Sequence, residues 1–242
     1  MSDTHRNGLV ISDLHLVTNR TRGEAWLEDI YRRMADAQVV VLNGDTFDFE
    51  WTTEPTIEAG VDRAMEWLQG LVDRFPDKSF HFIFGNHDYH VAFNDRLYAW
   101  AQTVPRFHVH EIALRLGPNL FLHGDCANYM MTPKHLDAVR ARTKRMRRHS
   151  AFLASILYFL DWIGWVKLLH VVMFPRQATC ARLLHFLQRL DEGMLNGVTD
   201  IYFGHTHIPF ASFEHAGYRF HNTGCGLLRM EFQPHPFSIV DN

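Results

Sequence analysis

Val39-Val40-Val41-Leu42-Asn43-Gly44-Asp45-Thr46-Phe47-Asp48 decides the reading of this chain. Four consecutive aliphatic residues fit a short strand buried on both faces, as in a parallel sheet. The run ends in Asn, Gly and two Asp, so the strand delivers oxygen donors at its C-terminal end, where ligands bind in open α/β sheets. Residues 9–11, 80–84 and 201–203 are further short apolar runs, and each leads into a polar turn. Those turns are Ser12-Asp13-Leu14-His15, Gly85-Asn86-His87-Asp88 and Gly204-His205-Thr206-His207, with His123-Gly124-Asp125 as a fifth such segment.

Working outward, residues 23–37 carry Trp26, Leu27, Ile30, Tyr31 and Met34 at helical spacing, and residues 57–75 carry Val61, Met65, Leu68 and Val72 likewise. Both predict crossover helices covering a sheet. Residues 107–122 alternate about Gly117-Pro118-Asn119, which predicts a hairpin. Residues 210–215, 218–221 and 227–232 predict an antiparallel run after the last polar turn. A chain of 242 residues accommodates one α/β domain over 1–242, with a helical insertion or cap at about 126–195.

The donor set is mixed carboxylate, amide and imidazole without thiolate, which suits a pair of first-row divalent ions rather than a structural zinc knot. Two ions about 3.5–4 Å apart can activate water and shield the charge on phosphorus, so the expected chemistry is phosphoester hydrolysis. Asp45 is the candidate bridge, because Gly44 allows a tight turn close to the ions. Asp13 and His15 alternate by two, so an extended backbone would project both to one side, where they would bind the first ion with Asp45 and His207. Asn86, His123 and His205 would complete the ligand set of the second ion with Asp45. His87 is free to donate to a phosphate oxygen or leaving group, held by Asp88 or Asp48. Any one of these turns is common by itself; five in strand-then-turn context argue together. Most of the seventeen histidines, His170 among them, default to structural roles, and His221 is the one expected near the site.

The net charge of -3 is unremarkable, but residues 134–148 hold seven Lys or Arg against Asp137. Residues 152–174 are then apolar, interrupted only by Ser155, Asp161, Gly164, Lys167 and His170. Asp161 and Lys167 would be costly in lipid, so a buried or membrane-surface helical hairpin is expected rather than a span. Basic then apolar sequence fits an amphiphilic phosphoester and an anionic membrane surface met through residues 140–174. The apolar part lacks the interleaved cations of a nucleic-acid groove, which argues against that partner. No leader pattern opens the sequence, so the expected location is cytoplasmic, with peripheral attachment to the inner face of the membrane. Cys126, Cys180 and Cys225 are too few and too scattered for a disulfide framework and are expected as buried thiols.

The order Asp-x-His, Gly-Asp-x-x-Asp, Gly-Asn-His-Asp, His-Gly-Asp and Gly-His-x-His from Asp13 to His207 resembles the calcineurin-like metallophosphoesterase family. The resemblance implies a two-sheet αββα sandwich, a dinuclear centre with manganese first and iron or zinc as alternatives, and in-line attack by a metal-bound hydroxide. It also implies His87 as the catalytic histidine. Within the family, Ile11-Ser12-Asp13-Leu14-His15-Leu16, the helical insertion and the Gly-His-Thr-His-x-Pro ending at Pro209 are similar to the UDP-2,3-diacylglucosamine hydrolases of lipid A biosynthesis. Those enzymes carry Asn-Arg-Asp where this chain has Asn86-His87-Asp88, and a Leu-Gly-x-Trp pattern where it has Asn222-Thr223-Gly224-Cys225-Gly226. The alternative reading is a soluble nucleotide or phosphoprotein phosphatase.

Overall fold

In the computed structural model, β1 (Thr4–Ile11), β2 (Val39–Asn43), β3 (Ser79–Ile83) and β4 (Phe107–His110) lie side by side and parallel. The structure describes residues 4–241, so the start of the segment read for a leader, residues 1–3, lies outside the described residues. A second sheet has the order β5-β6-β7-β9-β8. Its strands are β5 (Ala113–Leu116), β6 (Asn119–Leu122), β7 (Asp200–Phe203), β8 (Phe210–His215) and β9 (Tyr218–Asn222). The last strand, β10 (His235–Asp241), pairs antiparallel with β1 at the edge of the first sheet.

Three apolar layers hold this arrangement. Val10, Val39, Val41 and Ile83 of the first sheet pack against Phe121, Tyr202 and Phe237 between the sheets. The alternate residues Val40, Leu42, Phe80 and Phe82 face outward, under Ile30 and Met34 of α1 (Gly23–Ala35), Val61 and Leu68 of α2 (Ile57–Arg74), and Phe93 and Leu97 of α3 (Val91–Ala101). On the far side, Leu183, Phe186 and Leu187 of α7 (Arg176–Leu190) cover Leu122, Ile201 and Phe203. The result is the αββα sandwich, in which each fully buried aliphatic or aromatic side chain contributes roughly 1.5–3 kcal/mol.

Several expectations need correction. Residues 107–122 form three strands: β5 and β6 make the hairpin, while β4 belongs to the other sheet and the chain crosses over at Glu111 and Ile112. Residues 227–232 form no ladder strand; β10 takes that place, its Pro236 tolerated because β10 is an edge strand. The α3 helix went unread.

The 126–195 segment is helical, but its parts differ. α4 (Pro133–Thr143) and α7 contribute Leu136 and several α7 side chains to the outer core. In α5 (Ala151–Trp162) the buried residue is Asp161, and in α6 (Trp165–Met173) it is Val166. Among the described residues no single helix is long and apolar enough to cross a membrane, and the α5–α6 pair bends by 76° at its break, a near-perpendicular pair rather than the helical hairpin expected.

Candidate metal centre

The polar turns after β1, β2, β3, β6 and β7 converge at one end of the sandwich. The first two run side by side: the Asp13 amide donates to Gly44 O at 3.0 Å and the His15 amide to Asp45 O at 3.0 Å. Ligand atoms of Asp13, His15, Asp45 and His207 lie within 4.8 Å of one another, as do those of Asp45, His123 and His205. Asp45 belongs to both groups. Asn86 reaches the second through its Oδ1, 3.3 Å from His123 Nε2.

The backbone is not the extended one expected at Asp13 and His15. Five of the seven candidate ligands have positive φ: Asp13 (55°), His15 (48°), Asp45 (49°), His205 (64°) and His207 (60°). Such conformations cost of order 1–3 kcal/mol each and persist where surrounding contacts impose them. Asp13 and His15 still converge on Asp45 and His207, as alternate left-handed residues with Leu14 between them. Two glycines permit the crowding. A Cβ on Gly44 (φ 84°) would overlap the His123 ring, and one on Gly85 would overlap the Asp45 carboxylate and amide.

The residues fit two divalent ions. His207 Nε2 lies 3.2 Å from Asp13 Oδ1, His15 Nε2 lies 3.4 Å from His207 Nε2, and His123 Nε2 lies 3.1 Å from Asp45 Oδ2. Donors each 2.0–2.2 Å from one ion are separated by roughly 3–4 Å, as these are. Asp45 Oδ2 is buried without a hydrogen-bond partner, a costly state that a cation bound to the cluster would offset. Burial opposes ionisation of Asp45, but His123 and His87 together hold its carboxyl well below the usual range. Burial likewise disfavours a charged His123, yet Asp45 raises its pKa to about 10.

His87 stands beside the cluster with 23% of its side chain exposed, its Nδ1 3.1 Å from Asp48 Oδ1. Burial works against its proton, but Asp48 and then Asp45 raise its pKa to about 10. Asp88 is the correction here. Its two oxygens accept from the amides of Gly85 (2.7 Å) and Thr46 (2.9 Å), so it ties the turns after β2 and β3 together rather than holding the His87 ring. Asp48 does that.

His221 is not at the site; it is bonded to Asp200 at 2.9 Å and stacked on Tyr202. His170 of α6 is there instead, stacked on His207 with ring centroids 4.4 Å apart and bonded to Thr206 O. Cys225 is the buried thiol expected, but its sulfur also groups with His15 and His207, a place the sequence reading did not give it, and Arg20, which lies between Asp48 and Asp161, was passed over. Only Cys225 carried a signal, its glycine-flanked turn. Arg140, counted above with the basic run, is buried at 4% exposure and bonded to Asp125, Phe84 O and Glu111 O.

The sequence profile of the family described as "Calcineurin-like phosphoesterase" matches residues 9–209. No curated protein matches the chain. Among solved structures, a dimetal phosphatase from Danio rerio is 12% identical over 98% of this chain and 99% of its own, with a TM-score of 0.48. A phosphopantetheinyl hydrolase from Mycobacterium tuberculosis is 14% identical over 92% of this chain and 90% of its own, with a TM-score of 0.47. A nuclease from Pseudomonas putida is 20% identical over 48% of this chain, with a TM-score of 0.33, and the match spans about half, 53%, of the nuclease.

Proposed function

The chain belongs to the calcineurin-like phosphoesterase family and is a metal-dependent phosphoesterase; on that premise we propose that it hydrolyses an amphiphilic, lipid-linked nucleotide pyrophosphate of the UDP-2,3-diacylglucosamine kind. The observation that carries this reading is the bent helix pair α5–α6 beside the metal centre, with its apolar side chains turned to solvent. Its hydrogen bonds to the body run from Arg20 to Asp161, between His170 and Thr206 O, and from Arg229 to Trp162 O, and Val166 is the apolar side chain of α6 that is buried. Its apolar side chains face outward, with Phe152 77%, Val172 68%, Phe159 55% and Trp165 55% exposed. A contiguous apolar face of this kind marks an interaction surface. The exposed Arg142, Arg145, Arg147 and Arg148 lie just before it in the chain, and each cation near an anionic leaflet contributes roughly 1 kcal/mol. Apolar face and cations together fit an anionic membrane surface, hence peripheral attachment and a lipid-borne substrate, as in lipid A biosynthesis.

In this reading Asp13, His15, Asp45 and His207 hold the first ion, and Asp45, Asn86, His123 and His205 the second, with manganese proposed for both. When bound, the ions supply charge neutralisation at phosphorus and water that ionises near neutral pH. His87 donates to a phosphoryl oxygen or the leaving group, Asp48 orients its ring, and Asp88 keeps the Asp45 and Asn86 turns in register.

The test is a substrate panel with manganese-loaded protein: UDP-diacylglucosamine, CDP-diacylglycerol, simple nucleotides, a phosphopeptide and p-nitrophenyl phosphate. The proposal expects the highest kcat/KM on a lipid-linked pyrophosphate. Highest kcat/KM on the simple nucleotides or the phosphopeptide would establish a soluble phosphatase instead.

A further inference from the structure

The buried residue of α5 is a carboxylate, which is costly to bury unless it is paired. Asp161, 1% exposed, is met by the fork of Arg20, with Nε 2.7 Å from Oδ2 and Nη2 3.5 Å from Oδ1. The same guanidinium presents its other edge to the site, Nη1 lying 3.9 Å from Asp48 Oδ2, and it sits over the Trp51 ring at 5.5 Å. Asp48 in turn holds His87 at 3.1 Å and faces His15 Nδ1 at 3.4 Å. One planar cation thus binds α5 through Asp161 and lies 3.9 Å from the carboxylate beside His87.

We propose that Arg20 and Asp161 are a positioning pair for the reaction, through which the seating of α5 sets the Asp48–His87 geometry. With Asp161 in place, the Arg20 charge is largely satisfied and Asp48 is left to His87. Without it, Arg20 closes the 3.9 Å gap to Asp48 Oδ2, and a charge-assisted contact of normal length there draws the carboxylate away from its present position, with Oδ1 against His87 and Oδ2 facing His15. Displacing α5 and removing the Asp161 charge therefore have the same effect on the site. The inference rests on the role given to His87 above.

The experiment is a double-mutant cycle on a small soluble ester, with metal content measured for every variant. Asp161→Asn should lower kcat at least tenfold with KM and metal content unchanged. In a His87→Ala background the same change should lower kcat no further. Arg20→Gln combined with Asp161→Asn should regain most of the lost rate, because the competing charge is gone. Unchanged kcat in Asp161→Asn, or an equal loss with and without His87, would overturn the pairing and leave a merely structural contact. If Asp161→Asn does not fold, Arg20→Lys reads the same point: it keeps the charge but loses the two-edged fork, so wild-type kcat there would also overturn it. Failure of the underlying reading looks different, because His87→Ala alone would then turn over like wild type.

Discussion

Asp48 Oδ1 lies 3.1 Å from His87 Nδ1, with the carboxylate fully buried and the ring 23% exposed at the edge of the cluster. Holding Nδ1 leaves Nε2 as the nitrogen able to serve a substrate, and the carboxylate supports a protonated ring. Replacing His87 with Ala should lower kcat by roughly 10²–10⁴-fold, the usual contribution of a positioned acid, with metal content unchanged. Steady-state kinetics beside metal analysis checks both halves. Near-normal turnover by His87→Arg would show that the position needs positive charge alone.

Because Asp45 belongs to both ligand groups, Asp45→Ala should empty both positions, whereas Asn86→Ala should weaken only the one shared with His123 and His205. Metal content per chain after desalting decides the matter. Asp45→Ala protein that keeps two ions per chain would contradict the bridge.

Arg140 separates structure from surface within the basic run. Its Nε lies 3.0 Å from Asp125 Oδ2 and its Nη2 3.1 Å from Phe84 O, all out of solvent. Arg140→Ala strands the buried Asp125 and should cost about 3–5 kcal/mol. The exposed Arg145→Ala should stay within about 0.5 kcal/mol. Urea denaturation of the two variants compares them, and equal midpoints would show that Arg140 does not carry the contact.

His81 Nδ1 and His110 Nε2 lie 3.0 Å apart on β3 and β4, away from the metal centre. Burial, and then the neighbouring imidazoles, lower their pKa values to about 3 and about 4. In the unfolded chain both titrate near 6.5, so as pH falls the unfolded state takes up protons first. Their contribution to stability is therefore complete above about pH 6.5 and is lost as the pH falls toward about 4. Melting temperature followed from about pH 7.5 to 4.5 should decline less steeply in His81→Gln than in wild type, and parallel slopes would contradict the assignment.

Much of the site was legible because each motif is a strand end carrying its own turn. The runs before Asp13, Asp45, Asn86 and His205 need only local sequence to be recognised, and the structure brings their turns together. Left-handed backbone at Asp13 and His15 was not legible, since neighbouring turns impose it through the Gly44 and Asp45 carbonyls. Long-range contacts were invisible for a similar reason. Arg20 and Asp161 are 141 residues apart, His170 reaches Thr206 across 36, and nothing in local spacing announces either pair. The β10 strand was missed because its partner is β1, at the other end of the sequence. Arg140 looked like its exposed neighbours until its side chain was placed.

The metal centre and the bent α5–α6 pair are proposed to serve one amphiphilic substrate at an anionic surface. The most direct measurement compares KM and kcat for a long-chain UDP-diacylglucosamine on anionic vesicles with those for p-nitrophenyl phosphate in solution, in wild type and in a variant with Arg145, Arg147 and Arg148 changed to Gln. The account predicts a raised KM for the lipid substrate, weaker vesicle binding that falls further as salt screens the headgroups, and nearly unchanged turnover of the small ester. Equal losses on both substrates, or no vesicle binding by wild type at low salt, would contradict it.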